Sequence, residues 1–208
     1  MIRATNIDSH NLANIRCTMN LEGEDIPVEI KGIGLHNVLN SLCAVGIALS
    51  LGCDSSHIQQ GLINYIPTHM RLEVLDTPYG FKVINDAYNA NPDSMKRAVD
   101  ELVRLCGQGK TIAVLGDMLE LGEGSESEHF GLGKYLIDSG VNNIIAFGKF
   151  SPNLLEGYGD LSNGFRVDTH KDAAEILIDL ATPGDLVLVK GSRGSKMELV
   201  INELQGEQ

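Results

Sequence analysis

Three stretches of this chain carry most of the side chains able to do chemistry. Asn85-Asp86-Ala87-Tyr88-Asn89-Ala90-Asn91-Pro92 sets a carboxylate and a phenol among three amides. Gly116-Asp117-Met118-Leu119-Glu120-Leu121-Gly122 encloses acids between glycines. Lys190-Gly191-Ser192-Arg193-Gly194-Ser195-Lys196 is the one dense basic cluster in a chain with 16 Lys and Arg against 28 Asp and Glu, a net charge of −12. Gly148-Lys149 is a fourth, shorter loop of the same kind. An acid at a strand end can accept hydrogen bonds from a ribose hydroxyl pair. A guanidinium beside Gly and Ser suits a carboxylate or a phosphate, in two-pronged fashion where geometry allows.

Each of these residues also has a plainer reading. Asp86 could cap a turn, although the strand-end position favours a ligand. Asn91 reads first as a helix cap, because Pro92 follows it at the first helical position, where no amide hydrogen is needed. Tyr88 is equally an aromatic packed on a sheet edge, and Asp117 is equally a loop cap or a group that orients an amine or cation. Lys190, Arg193 and Lys196 could be a solvated helix start, but cations are disfavoured at the positive end of a helix, which favours a binding role.

These loops fall where a layered α/β domain would put them. Leu72–Leu75 and Phe81–Ile84 read as short strands around a Thr77-Pro78-Tyr79-Gly80 turn. Thr111–Leu115, Asn143–Phe147 and Leu186–Val189 are apolar throughout, as strands buried on both faces are. Helical spacing predicts helices after Asn91, over Ser127–Ser139, over Lys171–Leu180 and from about Ser195. Alternation of such strands and helices predicts a doubly wound, mostly parallel α/β sheet, with ligands beyond the carboxyl ends of the strands. The first seventy residues differ. Ile15, Cys17, Met19 and Leu21 alternate with polar residues, and Val28 and Ile30 continue the pattern after a turn, which predicts a hairpin. Val38 to Leu51 is apolar on nearly every face and predicts a buried helix; Asp54 caps a second one over Ser55–Tyr65. One hairpin and two helices make a thin domain, so this region reads as the tail of a larger one.

Composition excludes several classes. At −12 the chain lacks the basic face of a nucleic-acid binder. No apolar run reaches the roughly eighteen residues of a membrane span, and the first residues lack a signal-peptide pattern. The four cysteines have no metal spacing and read as buried, reduced thiols of a cytosolic protein. His10, His36, His57, His69, His129 and His170 show no metal spacing either, and no G-x-S-x-G elbow occurs. Gly107-Gln108-Gly109-Lys110-Thr111 ends like a phosphate-binding loop, but Arg104 stands where its first glycine should be, and the segment leaves a helix to enter a strand. Gly131-x-Gly133 reads as a close-packing site within a helix.

Several segments together resemble the Mur ligase family. Asp86-Ala87-Tyr88-Asn89-Ala90-Asn91-Pro92-Asp93-Ser94-Met95 and Val114-Leu115-Gly116-Asp117-Met118-Leu119-Glu120-Leu121-Gly122 are similar to the branch whose amine substrate is D-Ala-D-Ala. Gly34-Leu35-His36-Asn37-Val38-Leu39-Asn40 resembles the G-x-H-N-x-x-N segment of the whole family, and Val189-Lys190-Gly191-Ser192-Arg193-Gly194 its late K-G-S-R segment. The folate polyglutamate ligases differ at the first segment, with a D-x-A-H-N-P pattern.

The resemblance implies an ATP-dependent acid–amino-acid ligase of peptidoglycan precursor synthesis. ATP would phosphorylate the terminal carboxylate of UDP-MurNAc-tripeptide, and the amine of D-Ala-D-Ala would attack the acyl phosphate. It implies adenine contacts from Asn37 and Asn40, phosphate contacts from Arg71, a ribose contact from Asp86, and Tyr88, Asn89 and Asn91 near the nucleotide. It further implies that Asp117, Lys190, Ser192, Arg193 and Ser195 hold the dipeptide and the tripeptide carboxylate end. Residues 1–70 resemble the end of the central ATPase domain, and 71–208 the C-terminal, Rossmann-like domain that closes onto it. The family's G-T-N-G-K-T phosphate loop, its uridine-nucleotide domain, carbamylated lysine and Mg2+ ligands have no counterpart here. The expectation is therefore part of a cytoplasmic, monomeric ligase, inactive alone, with no metal, membrane or nucleic-acid site of its own. The alternative is a stand-alone module of the same fold binding a nucleotide or small acid.

Overall fold

The computed structural model describes residues 2–206, in two compact units that divide between Thr68 and His69. In the first, β1 (Ile2–Asp8), β2 (Asn14–Leu21) and β3 (Glu24–Lys31) form an antiparallel meander in that order. Ile15, Cys17, Met19 and Leu21 of β2 and Ile26, Val28 and Ile30 of β3 turn their buried side chains to one face, as the alternation requires. β1 was not expected from sequence. It is an edge strand with a register break between Thr5 and Asp8 and no buried residue, so it leaves no alternating signal.

Two helices cover the sheet, α1 (His36–Ser50) and α2 (Ser55–Ile63). The prediction of a buried α1 is corrected here. Only Val38, Ser41 and Val45 are buried, while Leu39 and Ile47 are 62% and 63% exposed. Apolar residues all round a helix bury it only where neighbours exist on every side, and within this unit α1 meets them on one. The same correction reaches the cysteines: Cys17 is buried, but Cys43 and Cys53 are exposed, and all four thiols are free. Asp54 caps α2 as predicted, accepting from the His57 backbone N–H at 2.9 Å. That bond first, then those from the Ser56 and His57 side chains, holds its carboxyl down to about 2. α2 stops at Ile63, short of Tyr65.

The second unit holds a six-stranded sheet: β4 (Glu73–Asp76), β5 (Lys82–Asp86), β6 (Thr111–Leu115), β7 (Asn143–Phe147), β8 (Gly164–Val167) and β9 (Leu186–Lys190). Their spatial order is β4-β5-β9-β6-β7-β8, parallel except for the β4–β5 hairpin. Its helices are α3 (Pro92–Leu105), α4 (Ser125–Asp138), α5 (Ser151–Tyr158), α6 (His170–Leu180) and α7 (Glu198–Gln205). One sheet face buries Val83, Ile112, Val114, Ile145, Val187 and Val189 against Ala173, Ala174 and Leu177 of α6 and Val200, Ile201 and Leu204 of α7. α3, α4 and α5 pack in sequence, with α3 and α5 against the strands. Residues of β6 and β9 are buried throughout, which is why both read as continuous apolar runs.

α5 and β8 were missed from sequence. One has eight residues, the other four with an exposed Arg166, so neither repeats long enough to show a period. Their remaining signals are Pro152 in the first turn of α5 and left-handed Gly159 at its end. Gly133 is a packing site as read: a Cβ there would lie 2.1 Å from the Leu154 carbonyl oxygen, whereas one at Gly131 meets nothing within 4 Å.

Candidate functional site

The loops leaving β5, β6 and β9 meet at the carboxyl edge of the sheet, because β9 lies between the other two. Two glycines let the β6 and β9 loops close on each other. A Cβ on Gly116 would sit 2.7 Å from the Met197 sulfur, and one on Gly191 would sit 2.7 Å from its Cγ. Hydrogen bonds then lock the pair. Gly116 N–H donates to the Lys190 carbonyl at 2.8 Å and Ser192 N–H to the Asp117 carbonyl at 2.9 Å. The Ser192 hydroxyl accepts from Leu119 N–H at 2.8 Å and donates to the Ala90 carbonyl at 3.2 Å, so one side chain braces all three loops.

A cavity of about 550 Å³ opens over this junction. Tyr88, Asn89 and Asn91 line one side, Ser192, Arg193 and Gly194 another, and Leu119, Glu120 and Leu121 a third. Five residues singled out from sequence are thus brought together on its wall. The Leu119–Leu121 wall is not among the expected site residues, of which this loop supplies Asp117; its only sequence signal is a pair of apolar residues flanking an acid. Glu198 was missed too. It accepts from Arg193 Nη1 at 2.9 Å and so holds the guanidinium. The basic cluster forms only a single 3-10 turn over Arg193–Ser195; the α-helix expected from about Ser195 begins instead at Glu198, which places an acid in its first turn.

Beneath the cavity the side chains are committed to one another. Asp86 and Lys190 are register partners in the parallel β5–β9 ladder. Lys190 Nζ donates to Asp86 Oδ2 at 2.5 Å and to the Asn89 carbonyl at 2.8 Å, and its side chain is 2% exposed. The other Asp86 oxygen accepts from Leu72 N–H at 3.2 Å. A carboxylate offers about four acceptor positions, so Asp86 keeps room for a further donor. Asn91 caps α3: its side chain accepts from Ser94 N–H at 2.8 Å, and the Ser94 hydroxyl accepts from Asn91 N–H at 3.0 Å.

Asp117 turns away from the cavity. Its two oxygens accept from Lys149 N–H and Phe150 N–H, at 2.8 and 3.0 Å, and tie the β7–α5 loop in place. Nearby, His129 accepts at Nε2 from Met118 N–H (2.9 Å) and meets the Ser125 carbonyl with Nδ1 (2.6 Å), which requires the tautomer protonated on Nδ1. Ser195 is buried, its hydroxyl donating to the Asp117 carbonyl at 3.3 Å.

Arg71 stacks its guanidinium on the Tyr88 ring, 4.3 Å from the centroid. It stands between Met70 and Leu72, both in the left-handed region with φ of 62° and 48°. That backbone is held by Tyr88 N–H to the Met70 carbonyl (3.2 Å) and by the Leu72 bond to Asp86. Asn37 and Asn40 belong to the first unit, on a groove of about 450 Å³ between α1 and α2. Asn37 donates its side-chain amide to the Ile33 carbonyl at 2.8 Å. Among the described residues no group of three or more His, Cys, Asp or Glu converges on a metal position.

Comparison with known proteins places this architecture. The family described as "Mur ligase, glutamate ligase domain" matches residues 70–193. A UDP-N-acetylmuramoyl-tripeptide–D-alanyl-D-alanine ligase of Bacillus subtilis (strain 168) is 37% identical over 175 residues, covering 83% of this chain and 38% of that protein. A crystal structure of MurF from Acinetobacter baumannii superposes with a TM-score of 0.87 at 31% identity, over 99% of this chain and 45% of that one. MurF ligase from Thermotoga maritima in complex with ADP superposes at 0.81 over 99% of this chain and 46% of that one; at 23% identity it shares the fold. The chain spans less than half the length of each of these proteins. It belongs to the Mur ligase family.

Proposed function

We propose that the chain supplies the C-terminal half of a site for ATP-dependent amide formation, joining D-Ala-D-Ala to UDP-MurNAc-tripeptide in peptidoglycan precursor synthesis. In this reaction the γ-phosphoryl group of ATP passes to the tripeptide's terminal carboxylate. The dipeptide amine then attacks the acyl phosphate, and ADP and phosphate leave. Such chemistry depends on positioning and on offsetting charge more than on covalent help from the protein.

The observation that carries the reading is the cavity over β5, β6 and β9, with Arg193 on its wall and Arg71 stacked on Tyr88 in an otherwise acidic chain. The named ligase of Bacillus subtilis and the ADP of the Thermotoga maritima structure support it. On the nucleotide side, Arg71 would meet phosphate, Asp86 the ribose, and Tyr88, Asn89 and Asn91 the surrounding surface. On the substrate side, Arg193 would hold carboxylate oxygens, with Ser192 shaping the wall beside it and Lys190, Asp117 and Ser195 fixing those loops from below. Asn37 and Asn40 would meet adenine from the first unit. The domains are proposed as residues 1–70, the end of a central ATPase domain, and 71–208, the C-terminal domain. Mg2+ would accompany ATP. The described residues offer it no converging ligands, so no step is drawn through the metal. The protein is expected to be a cytoplasmic monomer; no described helix is long and apolar enough to cross a membrane.

The test is nuclear magnetic resonance titration of the chain with ADP and, separately, D-Ala-D-Ala. ADP should move the signals of Tyr88 and Asn89, and the dipeptide those of Ser192 and Arg193. Arg193→Ala should remove the second response and leave the first. Silence at all four residues with both ligands would overturn the proposal. The 208 residues contain no G-x-x-x-x-G-K-[ST] loop, so ATP turnover by them alone should be undetectable.

A further inference from the structure

We infer that Lys190 is a positioning residue: its ammonium clamps the Arg71 segment and the Tyr88–Asn91 loop together from beneath and is not presented to a ligand. The inference rests on the site proposed above, because it assigns how that site is held. A lysine this deep, 2% exposed, loses its hydration, and only close anionic and carbonyl partners offset that loss. The partners are those found. Asp86 takes one donor at 2.5 Å, and the Asn89 carbonyl takes another at 2.8 Å.

The consequence follows from what those two partners hold. Asp86 receives the Leu72 amide through its other oxygen, so its orientation fixes the residue after Arg71. Asn89 follows Tyr88, whose ring carries the Arg71 guanidinium at 4.3 Å. One buried cation therefore sets both partners of a cation–π contact at the cavity rim. Met70 and Leu72 adopt left-handed backbone, which non-glycine residues keep only when their surroundings enforce it. Lys190 also ends β9 two and three residues before Ser192 and Arg193, so the strand delivers the clamp and the opposite wall in the same exit.

Replacing both charges by apolar residues of similar size, Lys190→Met with Asp86→Leu, removes the clamp without leaving a buried unpaired ion. In that folded double variant the Tyr88 amide should exchange about tenfold faster or more, and the upfield ring shift of the Arg71 side chain should vanish, while Val114 in β6 stays protected. Retention of the Tyr88 protection and of the Arg71 shift would overturn the inference. A second measurement uses the unaltered chain and a water-soluble lysine acylating reagent. Lys190 should stay unmodified with and without ADP; rapid modification that ADP prevents would mark it as a ligand and overturn the clamp. If the loops loosen as expected but ADP shifts are unchanged at Tyr88 and Asn89, the clamp stands and the nucleotide reading of this loop fails instead.

Discussion

Asp117 and Asp86 show how an acid in a candidate site can be occupied before any ligand arrives. Both Asp117 oxygens accept backbone N–H groups from the β7–α5 loop. Asp117→Ala should therefore cost about 2 kcal/mol in denaturant unfolding, the usual loss for hydrogen bonds to a charged group. Asp86→Ala would leave Lys190 buried and unpaired, at a cost of about 3–5 kcal/mol, so a weakened ATP response in that variant has to be read beside its melting curve. Asp185 offers a pH readout. Burial pushes its carboxyl up, but the N–H groups of Lys110 and Thr182 and the Thr182 hydroxyl together hold it below the ordinary 3.8. A depressed folded value contributes stability that is present above the unfolded value and lost as pH falls through the folded one. Acid unfolding below about pH 4 should therefore be shallower in Asp185→Asn, which should also be less stable at pH 7. An unchanged acid limb would remove this role from Asp185.

At the scale of elements, the close approach of α4 and α5 depends on two glycines. A Cβ on Gly133 would lie 2.1 Å from the Leu154 carbonyl oxygen, and one on Gly157 would lie 2.0 Å from that of Phe130. Gly133→Ala should destabilise by about 1–3 kcal/mol, as overpacking does. Gly131→Ala, two residues earlier in the same helix and facing open space, should stabilise by about 0.5–1 kcal/mol. Opposite signs from neighbouring sites in thermal melts would check both. This contrast also marks what the chain displays in one dimension. The G-x-G pattern announced close packing, but only the partner helix decides which glycine needs it, and α5 was too short to be read. Likewise the limits of β6 and β7 were legible from apolar runs, and Asn91-Pro92 announced α3. The burial of Lys190 was not legible, since its partner lies 104 residues away and only sheet register joins them. The Ser192 brace was hidden for the same reason.

For the whole molecule, the charge of −12 and the sparse cations lead to the expectation that charged substrates would be met by local basic residues. Lys190 and Arg193 stand at a place fixed by topology. β5 and β6 follow each other along the chain, yet in the sheet β9 stands between them, and β9 is the last of the described strands. A polypeptide emerging from the ribosome can thus make the β4–β5 hairpin and the β6–β7–β8 layer as separate pieces, but it cannot join them until residues 186–190 arrive. Such late, long-range pairing is slow and leaves strand edges open meanwhile. Stalled nascent chains ending near residue 180 should stay protease-sensitive across residues 82–167, and those exposing residue 206 should resist. The loops leaving β5, β6 and β9 can therefore meet only once β9 has been made, so a product cut short before residue 186 lacks their junction altogether rather than carrying a distorted one.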